Sequence, residues 1–213
     1  MPQKTKNTPM MEQYLSIKKQ YPDAFLFYRL GDFYELFHDD AMKAAKLLEI
    51  TLTSRNKNAD EPIPMCGVPY HAAAEYIRRL VEMGHKVAVC EQMEDAKLTK
   101  GMVRREVVRV ITPGTFLNEN GSENKANNYL ASVFRNEAGG YALGYVDIGT
   151  GELKVTLLTN EDGVFNELQT LPFKEIVLDA KTAEVLTEKL EKQFGILVSI
   201  QEKLIPETDV HDL

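Results

Sequence analysis

One short segment, residues 31–37 (GDFYELF), combines an aromatic side chain and a carboxylate at a spacing that suits contact with a partner molecule. In extended chain, alternate side chains share a face, so Phe33 and Glu35 point to one side and Tyr34 and Leu36 to the other. If Tyr34 and Leu36 pack inward, Phe33 is an exposed aromatic ring with a carboxylate beside it.

An exposed ring of this kind is suited to stack against a nucleic-acid base. Such stacking contributes about 1–3 kcal/mol, which is similar to the cost of unstacking one base step. The cost is lower at a mismatch, so the balance favours binding there. Glu35 would repel the phosphate backbone unless a displaced base forms a hydrogen bond with it. The alternative is an ordinary amphipathic strand with Phe33 in the core and Glu35 in solvent, and the pattern alone favours that alternative.

Basic side chains further along the chain suit contacts with phosphates, which carry no sequence preference. Arg105 and Arg109 are predicted to share one face of a strand, with Arg104 on the other face and Lys100 just before it. The alternative is an edge strand protected by charged side chains, which is common.

A stiff loop is predicted over residues 54–69, because it contains three prolines and a glycine. It leads to the N-terminus of a predicted helix, where backbone N–H groups suit a phosphate. His71 lies at that helix start, and the alternative for it is a first-turn residue bonded to backbone or water. Arg55 and Lys57, in the same loop, would extend the basic surface.

Carboxylates in the first half suggest metal-dependent hydrolysis by the cluster Asp32, Glu35, Asp39 and Asp40. Asp39 is better explained as a helix cap and Asp40 as a favourable first-turn charge. Asp147 ends a predicted strand, where a nuclease aspartate would suit, but residues 147–151 (DIGTG) equally predict a turn. The histidines and cysteines show no metal-ligand spacing, and the phosphate loop GxxxxGK[ST] is absent from the sequence. We therefore predict no catalytic, metal or cofactor site, with a metal-dependent nuclease as the alternative.

The composition is that of an ordinary globular protein, with 27% charged and 44% hydrophobic residues. We expect a cytoplasmic protein, because there is no apolar signal segment, no long apolar run and no cysteine pattern typical of disulfides. The net charge of −7 is uneven: residues 1–115 hold 17 basic and 15 acidic side chains, whereas residues 116–213 hold 8 and 17. This asymmetry favours two modules with different partners.

The polar residues 116–128 are the predicted linker between a first domain, residues 1–115, and a second domain, residues 129–213. The first domain is predicted to be mixed α/β, with helices at 9–21, 40–49 and 71–83 and strands at 24–30, 33–37, 50–53, 86–91 and 103–112. The second has predicted strands at 129–136, 141–147, 152–159, 175–178 and 196–200 and helices at 164–171 and 182–194. The order of these strands and helices along the chain is the opening pattern of a ribonuclease H-like sheet. A polar tail follows in place of further strands or helices, so we expect a partial domain.

Five blocks of the first domain together resemble the N-terminal region of the MutS family of bacterial mismatch-repair proteins. They are TPMMEQYL (8–15), FYRLGDFYELF (27–37), EPIPMCGVPYHA (61–72), VCEQ (89–92) and VVRVITPGT (107–115). The second domain resembles the connector domain of that family through YALGYVDIGTGEL (141–153).

The resemblance implies that Phe33 stacks at the mispaired base and that Glu35 forms a hydrogen bond to it from the minor groove of kinked duplex DNA. It also implies that Leu30 and Asp32 lie against the groove and that Arg105 approaches the backbone. The same blocks extend the DNA-binding set to Arg55, Met65 and His71.

The family's clamp, ATPase and dimerisation regions are missing from this sequence. ATP and Mg²⁺ are therefore expected to act in the full-length family, and this chain is expected to be a fragment without enzyme activity. The implied partners are duplex DNA with mismatches or small insertion/deletion loops, bound weakly by the fragment, and a MutL-type protein that engages the connector domain. The implied location is the bacterial cytoplasm, in association with the nucleoid. The remaining alternative is a fragment whose acidic second half acts only in protein interaction.

Overall fold

The structure, a computed structural model, describes residues 8–56, 61–94, 101–116 and 127–201. The chain divides into two compact units, Met1–Thr112 and Pro113–Leu213. Each unit contains a mixed β-sheet and helices, as predicted for two α/β domains. Within the described ranges, none of the helices is long and apolar enough to span a membrane.

Among its described residues, the first unit has a six-stranded sheet and three α-helices. Its elements are α1 (Pro9–Gln20), β1 (Ala24–Leu30), β2 (Phe33–Phe37), α2 (His38–Leu48), β3 (Thr53–Arg55), β4 (Ile63–Pro69), a 3₁₀ turn (Tyr70–Ala72), α3 (Ala73–Glu82), β5 (Lys86–Gln92) and β6 (Arg105–Ile111). The strand order is β3-β4-β2-β1-β5-β6, with β1 parallel to β5 and the other neighbours antiparallel.

Helix α1 covers one face of this sheet at the end where β1 begins. It starts as predicted, because the Thr8 side chain accepts a hydrogen bond from the Met11 N–H and a proline occupies the first helical position. The Tyr14 ring packs edge-on against Tyr28 at 5.4 Å and Phe37 at 4.9 Å between ring centres. The other end of the same face carries Phe33, Glu35 and their neighbours, because side chains alternate along β2.

The start of α2 differs from the prediction. Asp39 is not the helix cap, because α2 begins at His38 and Phe37 occupies the cap position. The neighbouring carboxylate, Asp40, is buried and accepts a hydrogen bond from the Leu26 N–H at 3.0 Å. It also forms an ion pair with Lys18 at 2.9 Å. Asp40 therefore satisfies a backbone group of β1 next to the point where β2 ends.

The prediction for residues 50–69 is wrong in two places. The short strand lies at Thr53–Arg55, and the proposed stiff loop contains the seven-residue strand β4. Proline cannot donate to a ladder, and with respect to β2 the two prolines lie at or beyond the ladder ends: Pro69 is its last pair and Pro64 lies just outside it. On the other side of β4, Pro64 pairs with Ser54 of the short edge strand β3. The composition alone did not reveal that arrangement.

A β-bulge in β6 corrects the expected positions of its arginines. Arg105 pairs with Gln92, but the register shifts between Val89 and Cys90, and Arg109 pairs with Val89. The extra residue on β6 moves Arg109 to the opposite face from Arg105. The prediction that both side chains share a face is therefore wrong.

The described part of the second unit has a five-stranded sheet and two helices. Its elements are β7 (Tyr129–Arg135), β8 (Tyr141–Asp147), β9 (Leu153–Leu158), α4 (Glu161–Leu168), β10 (Phe173–Asp179), α5 (Ala180–Phe194) and β11 (Leu197–Gln201). The strand order is β11-β10-β7-β8-β9, in which β7, β8 and β9 form antiparallel hairpins and β10 is parallel to β7 and β11. Antiparallel hairpins followed by parallel β-α-β connections agree with the element order predicted from the sequence.

Side-chain caps set the helix starts in the second unit. Asn160 accepts a hydrogen bond from the Gly163 N–H, so α4 begins three residues before the predicted position of 164. Asp179 accepts hydrogen bonds from the N–H groups of Lys181 and Thr182 and starts α5. Both helices pack against one face of the sheet, where the buried residues of this unit form a single apolar cluster.

Candidate nucleic-acid interface

The turn between β1 and β2 holds Phe33 at the surface. Gly31, the first residue of this two-residue turn, has a φ of +58°, which glycine adopts at little cost. Phe33 is 46% exposed, whereas Tyr34 and Leu36 are buried. The burial pattern matches the alternation predicted for this strand and contradicts the alternative in which Phe33 belongs to the core.

Glu35 lies next to Phe33 on the same face and is half-buried. Its carboxylate accepts a hydrogen bond from Arg55 Nη1 at 3.1 Å. Burial raises the pKa of Glu35 above its ordinary value, and the charge and hydrogen bond of Arg55 offset only part of that effect. The Glu35 carboxylate is therefore held by one arginine of the protein, on a surface that it shares with Phe33.

Gly67 keeps the surface beside these two side chains open. It pairs with Glu35 across β2 and β4. A Cβ atom at this position would lie 3.3 Å from the Tyr34 carbonyl oxygen, 3.6 Å from Glu35 Cγ and 3.9 Å from a Phe33 ring carbon. The role of Gly67 was not predicted, because its signal is the strand pairing and not the local sequence.

The structure brings several predicted site residues onto one side of the first sheet, which we call the Phe33 face. Its members, by strand register, are Leu30, Phe33, Glu35, Arg55 and Met65. Leu30 and Met65 are half-buried and pack against the apolar cluster under α1.

The other predicted residues lie elsewhere. Asp32 is exposed in the turn itself, and its carbonyl accepts a hydrogen bond from the Tyr70 N–H at 2.9 Å. His71 is exposed in the 3₁₀ turn that precedes α3. Lys57 and Lys100 lie outside the described residues.

Arg105 has a structural environment that the sequence did not indicate. It is 8% exposed, and its Nε donates to the Arg29 carbonyl at 2.8 Å. Its Nη1 donates to Gln13 Oε1 at 3.2 Å and to the Val103 carbonyl at 3.0 Å. The guanidinium carbon lies 5.0 Å from the centre of the Tyr28 ring. Arg105 therefore offers a phosphate little surface and instead joins β6 to β1 and α1.

The carboxylates proposed for metal-dependent hydrolysis do not form a metal site. Across the part of the chain that the structure describes, no group of three or more His, Cys, Asp or Glu side chains is placed to hold a metal ion. Asp147 instead accepts hydrogen bonds from the N–H groups of Asn128 and Gly149 and from the Thr150 hydroxyl. Burial acts to raise the pKa of Asp147, but these hydrogen bonds outweigh that effect, and the pKa lies below its ordinary value. The arrangement is that of the turn that the sequence DIGTG also predicted.

Comparison with known proteins identifies relatives of both units. The family model for MutS domain I matches residues 8–120, and that for MutS domain II matches residues 128–205. The DNA mismatch repair protein MutS of Geobacillus sp. (strain WCH70) is 54% identical over 201 residues, or 94% of this chain. Those of Listeria monocytogenes serotype 4a (strain HCC23) and Geobacillus thermodenitrificans (strain NG80-2) are 52% and 53% identical, over 93% and 92% of the chain. The chain spans only 22–23% of the length of these relatives.

Replacing Arg105 with methionine tests its structural role. Because the change leaves buried acceptors without donors, we expect Arg105→Met to lower the free energy of unfolding of the first unit by about 2–4 kcal/mol. Arg109→Met, on the exposed opposite face of the same strand, is the matched control and should change it by no more than about 0.5 kcal/mol. Hydrogen exchange of peptides from α1 and β1 measures the free energy of unfolding in both variants. Equal losses in Arg105→Met and Arg109→Met would contradict the structural role of Arg105.

The lowered pKa of Asp147 makes a prediction about pH. A carboxylate with a lowered folded-state pKa stabilises the fold above its unfolded pKa, and that stability is lost as the pH falls through the folded pKa. Asp147→Ala should therefore destabilise the second unit near neutral pH, with a difference from the unchanged chain that shrinks in strong acid. Hydrogen exchange of residues 127–201 across the acid range measures this, with Glu137→Ala in an exposed turn as control. A difference independent of pH would contradict the ionic contribution.

Proposed function

This chain belongs to the MutS family of DNA mismatch-repair proteins, and on that premise we propose that its first unit binds mismatched duplex DNA by inserting Phe33 beside a mispaired base. The observation that carries the proposal is the exposure of Phe33 at a tight turn, with a half-buried carboxyl group next to it on the same face. An apolar ring is poorly solvated by water at such a position, whereas insertion between bases would bury its apolar surface.

The energies involved favour mismatched over matched sites. Stacking of one base on Phe33 would contribute about 1–3 kcal/mol, which a well-paired step offsets through the cost of unstacking. A mispaired base is already less well held, so more of the stacking energy remains as binding energy. Insertion at the minor groove would also kink the duplex, which costs least at flexible steps.

Glu35 would add a hydrogen bond to the displaced base. Its position beside Phe33 on the same face supports this role, because a carboxylate accepts hydrogen bonds from N–H groups on a base edge. In the absence of DNA, Arg55 neutralises the carboxylate at 3.1 Å. Where no base is free to move, Glu35 would keep its charge near the phosphates and weaken binding.

The other residues of the predicted set would flank this contact. We propose that Leu30 and Asp32 lie against the groove and that Arg55, Met65 and His71 border it. Arg105 is assigned to the support of β1, since its donors are used inside the protein.

We propose that the second unit serves as a connector that engages a MutL-type protein and that it does not act as a nuclease. The hydrogen bonds that Asp147 accepts in its turn support the second part of this proposal, because they give the carboxylate a structural role. The ATP-dependent steps and dimerisation expected of full-length relatives are proposed to depend on regions that this chain does not span.

Phe33→Ala tests the proposed insertion. The measurement is made in a chimera, in which the matched N-terminal segment of the full-length Listeria monocytogenes relative is replaced by this chain. We expect the ratio of affinities for mismatched and matched duplexes to fall roughly 5- to 150-fold, the equivalent of the lost stacking. Phe134→Ala is the matched control, because Phe134 is also 46% exposed but lies in the second unit. An unchanged ratio in the Phe33 variant would refute the proposal.

Glu35→Gln tests the charge of the carboxyl group. Removing the negative charge should strengthen binding of the chimera to matched duplex. The ratio of affinities for mismatched and matched duplexes should therefore fall, although the affinity for matched duplex rises. The gain should be largest at low ionic strength, because salt screens the repulsion between Glu35 and the phosphates. Glu12→Gln removes an exposed carboxylate from α1 and serves as control. If matched-duplex affinity falls or stays constant in the Glu35 variant, this role is wrong.

A further inference from the structure

Four side chains surround the β1–β2 turn on the face of the sheet opposite to Phe33. We call Arg29, Tyr34, Tyr70 and Glu91 the Arg29 cluster. The guanidinium carbon of Arg29 lies 3.9 Å from the centre of the Tyr70 ring and 5.5 Å from that of Tyr34. The Glu91 carboxylate accepts a hydrogen bond from the Tyr34 hydroxyl and lies 3.8 Å from Arg29 Nη1. The guanidinium is thus placed between two aromatic rings and beside a carboxylate.

The cluster also binds the backbone of the turn. Arg29 Nε donates to the Gly31 carbonyl at 2.5 Å, and the Tyr70 N–H donates to the Asp32 carbonyl at 2.9 Å. From the Phe33 face, Arg105 donates to the Arg29 carbonyl at 2.8 Å. The turn carbonyls are therefore held by groups of the Arg29 cluster, and the Arg29 carbonyl at the end of β1 is held from the Phe33 face.

A fixed turn matters because the turn contains glycine. Gly31 has more accessible backbone conformations than any other residue type, so an unsupported turn would yield when Phe33 is pressed against stacked bases. Stacking energy lost to displacement of the turn would not be available to separate mismatched from matched sites.

We propose that Arg29, stacked on Tyr70, is a positioning residue that holds Phe33 in place for insertion. This inference rests on the proposed function of Phe33. Arg29 acts through the turn and does not contact the base, since its side chain lies on the opposite face from Phe33.

The charges in the cluster are consistent with an internal role. Burial and the hydrogen bond to Glu91 raise the pKa of Tyr34 to about 12, so its hydroxyl keeps its proton and donates to Glu91 at neutral pH. Glu91 in turn balances the charge of Arg29. Planar stacking and the Nε hydrogen bond are properties that lysine does not reproduce, so charge alone is not sufficient at this position.

The experiment measures the ratio of affinities for mismatched and matched duplexes in the same chimera. We expect Arg29→Met, Arg29→Lys and Tyr70→Leu each to lower the ratio roughly 3- to 10-fold, and Tyr70→Phe to keep it, because a phenyl ring retains the stack. The slope of affinity against salt should not change in Arg29→Lys or Arg29→Met, since no phosphate contact is lost. Arg78→Met, which removes a partly exposed arginine from α3, is the control.

A double variant separates positioning from direct contact. If Arg29 acts through Phe33, then adding Arg29→Met to Phe33→Ala should cause no further loss of the ratio. An additional loss would show that Arg29 contacts DNA itself and would overturn the inference. Unchanged ratios in Arg29→Met and Tyr70→Leu would also overturn it.

The two proposals fail in different ways. An unchanged affinity ratio in Phe33→Ala would refute the proposed function. A lower ratio in Phe33→Ala, with unchanged ratios in the Arg29 and Tyr70 variants, would refute only the role of Arg29. Hydrogen exchange of β1 and β5 checks that each variant is folded. Should Arg29→Met unfold the unit, Tyr70→Leu still decides the question, because Tyr70 is 48% exposed and is not part of the core.

Discussion

The position of Phe33 depends on the register between β1 and β2. The two-residue turn pairs Leu30 with Phe33, Arg29 with Tyr34 and Tyr28 with Glu35. Because side chains alternate along a strand, a slip of one residue would bury Phe33 and expose Tyr34 and Leu36. The core under each face therefore determines which side chains reach the surface at the turn.

The same register divides the supporting interactions between the two faces. Arg105 reaches the Arg29 carbonyl from the side of α1, while the Arg29 side chain lies against Tyr70 and Glu91 on the other side. Two arginines near the proposed DNA contact are thus both used within the protein. Burying charged groups in this way is stable only because each has several partners.

The elements that hold Phe33 were predictable from local sequence, but much of their support was not. The run AFLFYRL, the glycine turn and the alternation of FYELF predict β1, the turn and β2 as the structure has them. Strand β4 was missed because a proline is acceptable in a strand only where the ladder does not need its N–H group, and that depends on the neighbouring strands. The bulge that separates Arg105 from Arg109 is likewise a property of pairing. The pattern around Phe33 favoured a core residue, and the resemblance of five blocks to the MutS family was needed to prefer an exposed one.

The use of cations inside the first unit has a consequence for affinity. Non-specific binding to DNA depends on basic side chains that neutralise phosphates and release counterions. Arg29, Arg55 and Arg105 are each bonded to acceptors of the protein, and Arg78 is paired with Glu75 and Glu82. Arginines already paired in this way lose existing contacts when they turn to a phosphate, and that loss reduces the free energy gained by binding DNA. In the proposed function, discrimination between mismatched and matched duplexes should therefore depend on short-range stacking at Phe33 more than on attraction to the backbone.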